Sequence, residues 1–493
     1  MYLSQQMKAI VIGSGIAGLA TAVRLRAKGY NVEVFESNAY TGGKLTAFEL
    51  GNYRFDAGPS LFTLPDLVDQ LFEALGEDPR SVFNYHRHDT SCRYFWPDGT
   101  QLTGHGNRDA FVAEAARVLG ESQTDLHAYL SRSEEAFNLT RSIFLESSLH
   151  KPLQLPRRDV FRAIGRMHKL SLTKTLHQVN TKAFCNPKTH QLFDRYATYN
   201  GSSPYKTPGI MRLIPHLELG LGTFLPMGGM HEISQSVTRL AERHGVRIHL
   251  KSPVERIVVE EGQATGIETQ GTFHPADVVV SNMDVVPTYR KLLTDQPAPE
   301  RTLAQERSSS ALIFYWGIRQ QFCELDLHNI LFSQDYAHEF RQIFDQHQVP
   351  EDPTVYINIT SKLEPMDAPQ GCENWFVMIN VPGDTGQDWD MLIPKARKTI
   401  LARISSALNT DIEPLIEVED LLEPRTIASR TGSHQGSLYG ASSNAAMAAF
   451  LRHPNFSRKL DNLYFCGGSV HPGGGIPLCL LSAKIVDQLT SAS

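Results

Sequence analysis

A chain of 493 residues is too long for one hydrophobic core, which rarely grows past about 250 to 300 residues, so two or three domains are expected. With 41% hydrophobic and 20% charged residues, and no apolar run near the roughly 18 residues of a spanning helix, the composition excludes a polytopic membrane protein. A net charge of -6 gives no reason to expect nucleic acid, and six scattered cysteines without a CxxC pair argue against a zinc site, a redox dithiol or a disulfide framework, so no metal is expected.

The opening "MYLSQQMKAIVIG" lacks the charged region, long apolar core and cleavage site of a secretory leader, which predicts a cytoplasmic protein. "KAIVIG" reads as a short β-branched strand, "IAGLATAVRLRAKG" as a helix closing on Gly29, and "NVEVFE" as a second strand; together they predict a βαβ unit over residues 8 to 36 that opens a parallel sheet. "GKLTAFELGNYRFDAGPS" alternates like a hairpin turning near Gly51 and Asn52, and "PDLVDQLFEALG" reads as an amphipathic helix with Pro65 at its start. Residues 110 to 200 read as mostly helical. The stretch from Gly245 to Asn282 offers several short, closely spaced strands, where the chain is expected to return to its first domain. From 309 to 382, "SSSALIFYWGI", "TVYINITSK" and "NWFVMINVP" predict a mostly antiparallel sheet with one face buried. Alternation sends half of its aromatics, Phe314, Tyr315, Trp316, Trp375 and Phe376, to each side. "NLYFCGG" and the helix after it bring the carboxyl end back to the beginning.

Two glycine clusters carry chemistry. In "VIGSGIAGLA", Gly13 permits a tight turn, Gly15 lets a pyrophosphate approach the backbone beside Ile16 and Ala17, and Gly18 lets the helix pack on the strand. Alone the spacing is weak, but it follows a strand, opens a helix and precedes Glu36, an acid placed to accept from a ribose diol. Gly42 and Gly43 form either a plain hairpin turn or a second contact to an elongated dinucleotide. The second cluster, "YFCGGSVHPGGGIPLCLLSAK", spends five glycines before a helix that starts at Pro477. No second GxGxxG follows a strand, so no separate NAD(P)H domain is expected.

The two ends of the chain, with "DAGPS" after the first, resemble those of the bacterial phytoene-desaturase-type carotenoid oxidoreductases. The resemblance implies an α/β fold: a discontinuous Rossmann-type FAD-binding domain over residues 1–80, 225–290 and 420–493, and a substrate domain of antiparallel sheet plus helices over 81–224 and 291–419. It implies that Gly13, Gly15, Ile16, Ala17 and Gly18 hold the diphosphate, Glu36 the adenosine ribose, Gly42, Gly43 and Lys44 the inner cofactor, and Val254 the adenine through its main chain. Gly58, Pro59 and Ser281 line the cofactor, with Asn282 a further candidate. Gly467, Gly468, Gly474, Gly475 and Ile476 follow the ribityl chain and flavin ring, where a Cβ would collide. The family commonly has arginine where this chain has Lys44, which keeps the charge but loses the bidentate fork. His471, inside the closing loop, is either a proton acceptor for catalysis or a brace for the loop.

The implied reaction is insertion of a C=C bond into a polyene by hydride transfer to flavin N5, with reduced flavin reoxidised by a diffusible acceptor such as a quinone or dioxygen. "DAGPSLFTLPDLVDQLF" resembles the branch that desaturates hydroxylated carotenoids at the 3,4 position. The alternatives are phytoene desaturation, carotene cis-trans isomerisation on the same fold, a non-enzymatic prenyl-binding escort and, on fold grounds, amine oxidation. A carotenoid substrate requires a membrane portal, hence peripheral association with the cytoplasmic membrane. Residues 141 to 182 carry nine Lys or Arg against one Glu and one Asp. A helix after Pro156 would gather Val160, Phe161, Ile164 and Met167 on one face and Arg158, Arg162, Arg166 and Lys169 on the other, either lying on anionic lipid or covering the core.

Overall fold

The structure, a computed structural model, describes residues 6–445 and 452–491; the first five residues of the stretch read for a leader lie outside them. Five parallel strands form one sheet in the order Leu463–Phe465, Val278–Ser281, Lys8–Ile12, Asn31–Phe35, Arg247–His249. Both faces of this sheet are covered, so its strands are runs of Val and Ile rather than alternations. Ala9, Val11, Val32, Val34 and Val280 face the helices Ile16–Ala27, His231–Arg243 and Ile476–Leu489. Ile10, Ile12, Phe35 and Val279 face a three-stranded antiparallel sheet, Arg256–Glu260, Gln263–Thr269 and Thr272–Pro275. The first and last helices of the chain pack on each other. The predicted hairpin is present, Ala47–Leu50 pairing with Tyr53–Asp56, and the helix Asp66–Ala74 follows Pro65.

The second sheet has seven strands in the order Ile416–Leu422, Ser310–Ile318, Glu373–Val381, Val355–Asn358, His328–Leu331, Thr90–Phe95, Gln101–His105. All neighbours are antiparallel except Thr90–Phe95 and His328–Leu331. The expectation of one buried face is corrected here: every residue of Ser310–Ile318 is buried. Phe314, Trp316 and Trp375 pack with residues of the helix Trp389–Leu408, while Tyr315 and Phe376 pack with the residues of the Ala47–Asp56 hairpin on the opposite face. The hairpin covers a face that a solvated sheet would expose, because that face forms one wall of a cavity between the two sheets.

The helical region contains Arg108–Leu119, Gln123–Thr140, Arg157–Gly165, Leu176–Ala183 and Pro187–Asp194. Local capping explains several of their starts: Asn107, Ser122 and Asn186 each accept main-chain N–H bonds, and Thr175 with Gln178 completes a capping box. Arg157–Gly165 does not cover the core, since only Ala163 among its residues is buried. Two of its large apolar side chains point outward, Phe161 75% and Ile164 58% exposed, and Leu153 in the short turn before the helix is 92% exposed. Arg157, Arg158 and Arg162 are also exposed, whereas Arg166 and Lys169 are paired with Glu135 at 3.3 and 2.8 Å. Among the described residues no helix is long and apolar enough to cross a membrane.

Candidate functional site

One cavity of about 720 Å³ runs from the carboxyl ends of the parallel strands to the inner face of the second sheet. That position is where open parallel sheets bind ligands, and both glycine clusters reach it. Gly13, Gly15, Ile16, Ala17, Glu36, Gly42 and Gly43 line one end, and Gly467, Gly468, Gly474, Gly475 and Ile476 line the same space.

The helices Ile16–Ala27 and Ile476–Leu489 both begin at this cavity, behind Gly15 and Gly475, with no side-chain cap and no acid in the first turn. The first N–H groups of a helix have no partner within it, so two such ends aimed at one space form a site for negative charge. Glu36 is fixed at the end of its strand: Oε2 accepts from the N–H and hydroxyl of Ser14 at 2.8 Å each, and Oε1 accepts from Asn38 N–H at 2.8 Å. It is buried yet lines the cavity, which suits an acceptor for a diol.

Two of the lining glycines pack too closely on neighbouring main chain to carry a side chain. A Cβ on Gly58 would stand 1.7 Å from the carbonyl oxygen of Lys44, and one on Gly474 would stand 2.7 Å from the Cα of Tyr439. Pro59 and Val254 also line the cavity. Lys44 lies in the same wall, but its Nζ donates to the carbonyls of Ser437 and Leu438 at 3.0 Å each. Burial pushes this ammonium down to about 8, against the opposing pull of Asp284. A tetrahedral donor suits two converging carbonyls, which gives the lysine a use that does not need a planar fork.

Gly18, Ser281 and His471 lie off the cavity wall. Gly18 is under the turn, where a Cβ would stand 2.2 Å from the Gly13 oxygen, so it serves the helix–strand contact. Ser281 points into the core and shares a hydrogen bond with the Thr288 hydroxyl at 2.9 Å; the next residue, Asn282, is the one that faces the cavity. His471 is 1% exposed, and its Nε2 donates to the Ser147 carbonyl at 3.0 Å. Burial pushes the ring down to about 4, so it is neutral near pH 7 and braces the loop against a distant segment.

Sequence reasoning missed the polar groups at the far end. There the wall is apolar at Ile313, Ile330, Phe376 and Met378, but it also holds Arg195, Glu218, Tyr199, His328 and Tyr356. Arg195 Nη2 donates to Glu218 Oε1 at 2.6 Å, and the Tyr199 hydroxyl donates to Glu218 Oε2. Among the described residues no group of three or more His, Cys, Asp or Glu is arranged to hold a metal.

Two uncapped helix ends, a fixed acid and a wall of closely packed glycines fit an extended dinucleotide carrying a flat ring. The comparisons agree. The family described as flavin containing amine oxidoreductase matches residues 16–486. The chain belongs to this family. It is 57% identical, over 98% of each chain, to a 1-hydroxycarotenoid 3,4-desaturase of Flavobacterium sp. (strain P99-3), and 29% identical to a phytoene desaturase of Fusarium fujikuroi over 97% of this chain and 88% of the relative. An oxidoreductase of Methanosarcina mazei has the same fold, with a TM-score of 0.62 at 17% identity over 98% of this chain and 100% of the other. As a flavin-containing amine oxidoreductase of the carotenoid-desaturase type, the protein is an FAD-dependent oxidoreductase, which sets aside the non-enzymatic escort reading. The FAD diphosphate would be held by the main chain around Gly15 to Ala17, the ribose by Glu36, and the ring by the walls at Gly43, Gly58, Gly467 and Gly474.

Proposed function

We propose that this oxidoreductase inserts a C=C bond at the 3,4 position of a 1-hydroxylated carotenoid while resting on a membrane surface. The observation that carries the reading is the 57% identity, over 98% of each chain, to a relative named for that reaction. Bound in the cavity, FAD supplies a two-electron acceptor able to take a hydride from an allylic carbon. The protein's part is positioning: Ile313, Phe376 and Met378 give the polyene an apolar wall, and covered surfaces on both sides of the sheet exclude water. No histidine on the closing loop faces the cavity, so a proton leaving the neighbouring carbon goes to a group other than His471. The exposed Phe161 and Ile164, on a helix that also exposes Arg157, Arg158 and Arg162, support contact with anionic lipid. A quinone or dioxygen then reoxidises the cofactor.

The test is anaerobic mixing of the FAD-loaded enzyme with vesicles carrying hydroxylated carotenoid, following flavin absorbance and product mass together. The expected result is bleaching with a product lighter by two hydrogens. A product of unchanged mass would replace desaturation by isomerisation, and bleaching by phytoene alone would discard the hydroxylated substrate.

A further inference from the structure

At the far end of the cavity two side chains each keep a buried nitrogen without a hydrogen bond in the protein, one of them the Arg195 guanidinium that also lies over the Tyr196 ring at 4.2 Å. Of the described residues with a buried polar side-chain atom lacking any partner, Arg195 and His328 are the two on the cavity wall. The orphan atoms are Arg195 Nε and His328 Nε2, on side chains of residues 5% and 2% exposed.

The hydrogen on His328 can be placed. Asn358 Nδ2 donates to the Leu327 carbonyl at 2.9 Å, which fixes the amide with its nitrogen on that side, and the same nitrogen lies 3.2 Å from His328 Nδ1. An N–H aimed at Nδ1 makes Nδ1 the acceptor. Burial pushes the ring down to about 3, so it is neutral and carries its one hydrogen on Nε2. Arg195 is spent differently: Nη2 serves Glu218 and the Tyr94 hydroxyl, and Nε is left over. Glu218 in turn accepts from Arg195, Tyr94 and Tyr199, three of the roughly four lone-pair directions a carboxylate offers, so it retains room for one more donor.

Glu218 already balances the charge of Arg195 and His328 adds none, so the site does not call for an anion. It calls for a neutral oxygen that accepts one or two N–H bonds and has a hydrogen to give back. A hydroxyl does both. The location also fits the reaction proposed above. Position 1 is two carbons from position 3, so the oxygen must be held beside the reacting bond. His328 Nδ1 lies 2.8 Å from the Tyr356 hydroxyl, and that hydroxyl lies 2.8 Å from Ser60 Oγ, on the loop that presents Gly58 and Pro59 to the cofactor.

We infer that Arg195 and His328 bind the substrate's hydroxyl oxygen and select the hydroxylated polyene over the same polyene without oxygen. The inference rests on the desaturase reading. A site built to hydrogen-bond a hydroxyl discriminates strongly against the analogue that lacks it, because its own donors are then left unpaired.

The experiment compares rates of anaerobic flavin bleaching by phosphatidylcholine vesicles loaded with a 1-hydroxycarotenoid or with its unhydroxylated parent, and reads only their ratio, so that a general loss of folded enzyme cancels. The FAD-loaded natural enzyme should show a ratio of about a hundred or more. His328→Leu, and Arg195→Lys, which keeps the charge facing Glu218 but removes Nε–H, should each cut the ratio by about tenfold or more. His328→Gln, which keeps an N–H near the place of Nε2, should recover most of it. An unchanged ratio in both His328→Leu and Arg195→Lys, or no preference in the natural enzyme, overturns the inference and leaves the desaturase standing. Bleaching of the natural enzyme by neither carotenoid overturns both.

Discussion

Replacing Phe161 and Ile164 by serine tests whether the outward face of Arg157–Gly165 meets lipid. Full burial of a large apolar side chain is worth about 1.5 to 3 kcal/mol. Scaling a middle value of about 2.3 kcal/mol by exposures of 75% and 58% gives about 3 kcal/mol for the pair at complete immersion, and about half that if only the outer part enters the headgroup boundary. The double variant should therefore bind vesicles about ten- to two-hundredfold more weakly. Since both side chains are exposed in the protein, its melting temperature should hardly move. Arg157, Arg158 and Arg162 add about 1 kcal/mol each on an anionic surface, a contribution that salt removes and that the serines leave intact. Co-sedimentation with neutral and anionic vesicles, at low and high salt, separates the two contributions. Equal binding of the natural and double-serine proteins to neutral vesicles would refute the reasoning.

Gly58→Ala should yield protein with little bound FAD, because its Cβ would meet the Lys44 carbonyl oxygen at 1.7 Å and overpacking against backbone costs about 1 to 3 kcal/mol or more; Gly165→Ala, with nothing within 4 Å, should retain the 450 nm absorbance. Glu218→Leu should destabilise the fold by about 3 to 5 kcal/mol in urea titrations by leaving the buried Arg195 unpaired, and a change below about 1 kcal/mol would contradict the pairing. Stability should fall as pH drops below about 6.5: His328 is pushed down to about 3 and His453 and His471 to about 4, so the unfolded chain takes up protons that the folded one refuses. The loss, about 1.4 kcal/mol per histidine per pH unit, begins at the unfolded value and ends near the folded ones, and a urea midpoint unchanged from pH 7 to pH 5 would count against it.

The cofactor end was readable because its signals are local. A β-branched strand, a glycine turn and a helix without a first-turn acid sit within residues 8 to 27, and each piece has its own conformational reason. The helix Arg157–Gly165 was half readable: its period gave two faces, but whether the apolar face meets core or solvent depends on which neighbours the tertiary fold supplies. His471 shows a different limit. Its place in the chain, among cofactor-lining glycines, says nothing of direction, and the loop turns the ring toward Ser147. The donors at the far end were out of reach altogether. Arg195 and Glu218 come from two short irregular helices, His328 and Tyr356 from neighbouring strands, so no spacing joins them before the sheet is built.

Lys44 and the helix that starts at Ile476 act in the same direction. An ammonium pushed down to about 8 remains mostly charged at pH 7, but burial has made that charge costly. A neighbour that gains negative charge relieves the cost, and the uncapped N-terminus behind Gly475 favours the same gain. Lysine at the place of arginine therefore keeps a positive charge in the cavity wall while tying the segment at Ser437 and Leu438 to the loop after Gly43. Arginine would carry the charge without the readily shifted pKa, and its planar fork would have to meet two carbonyls now served by one nitrogen.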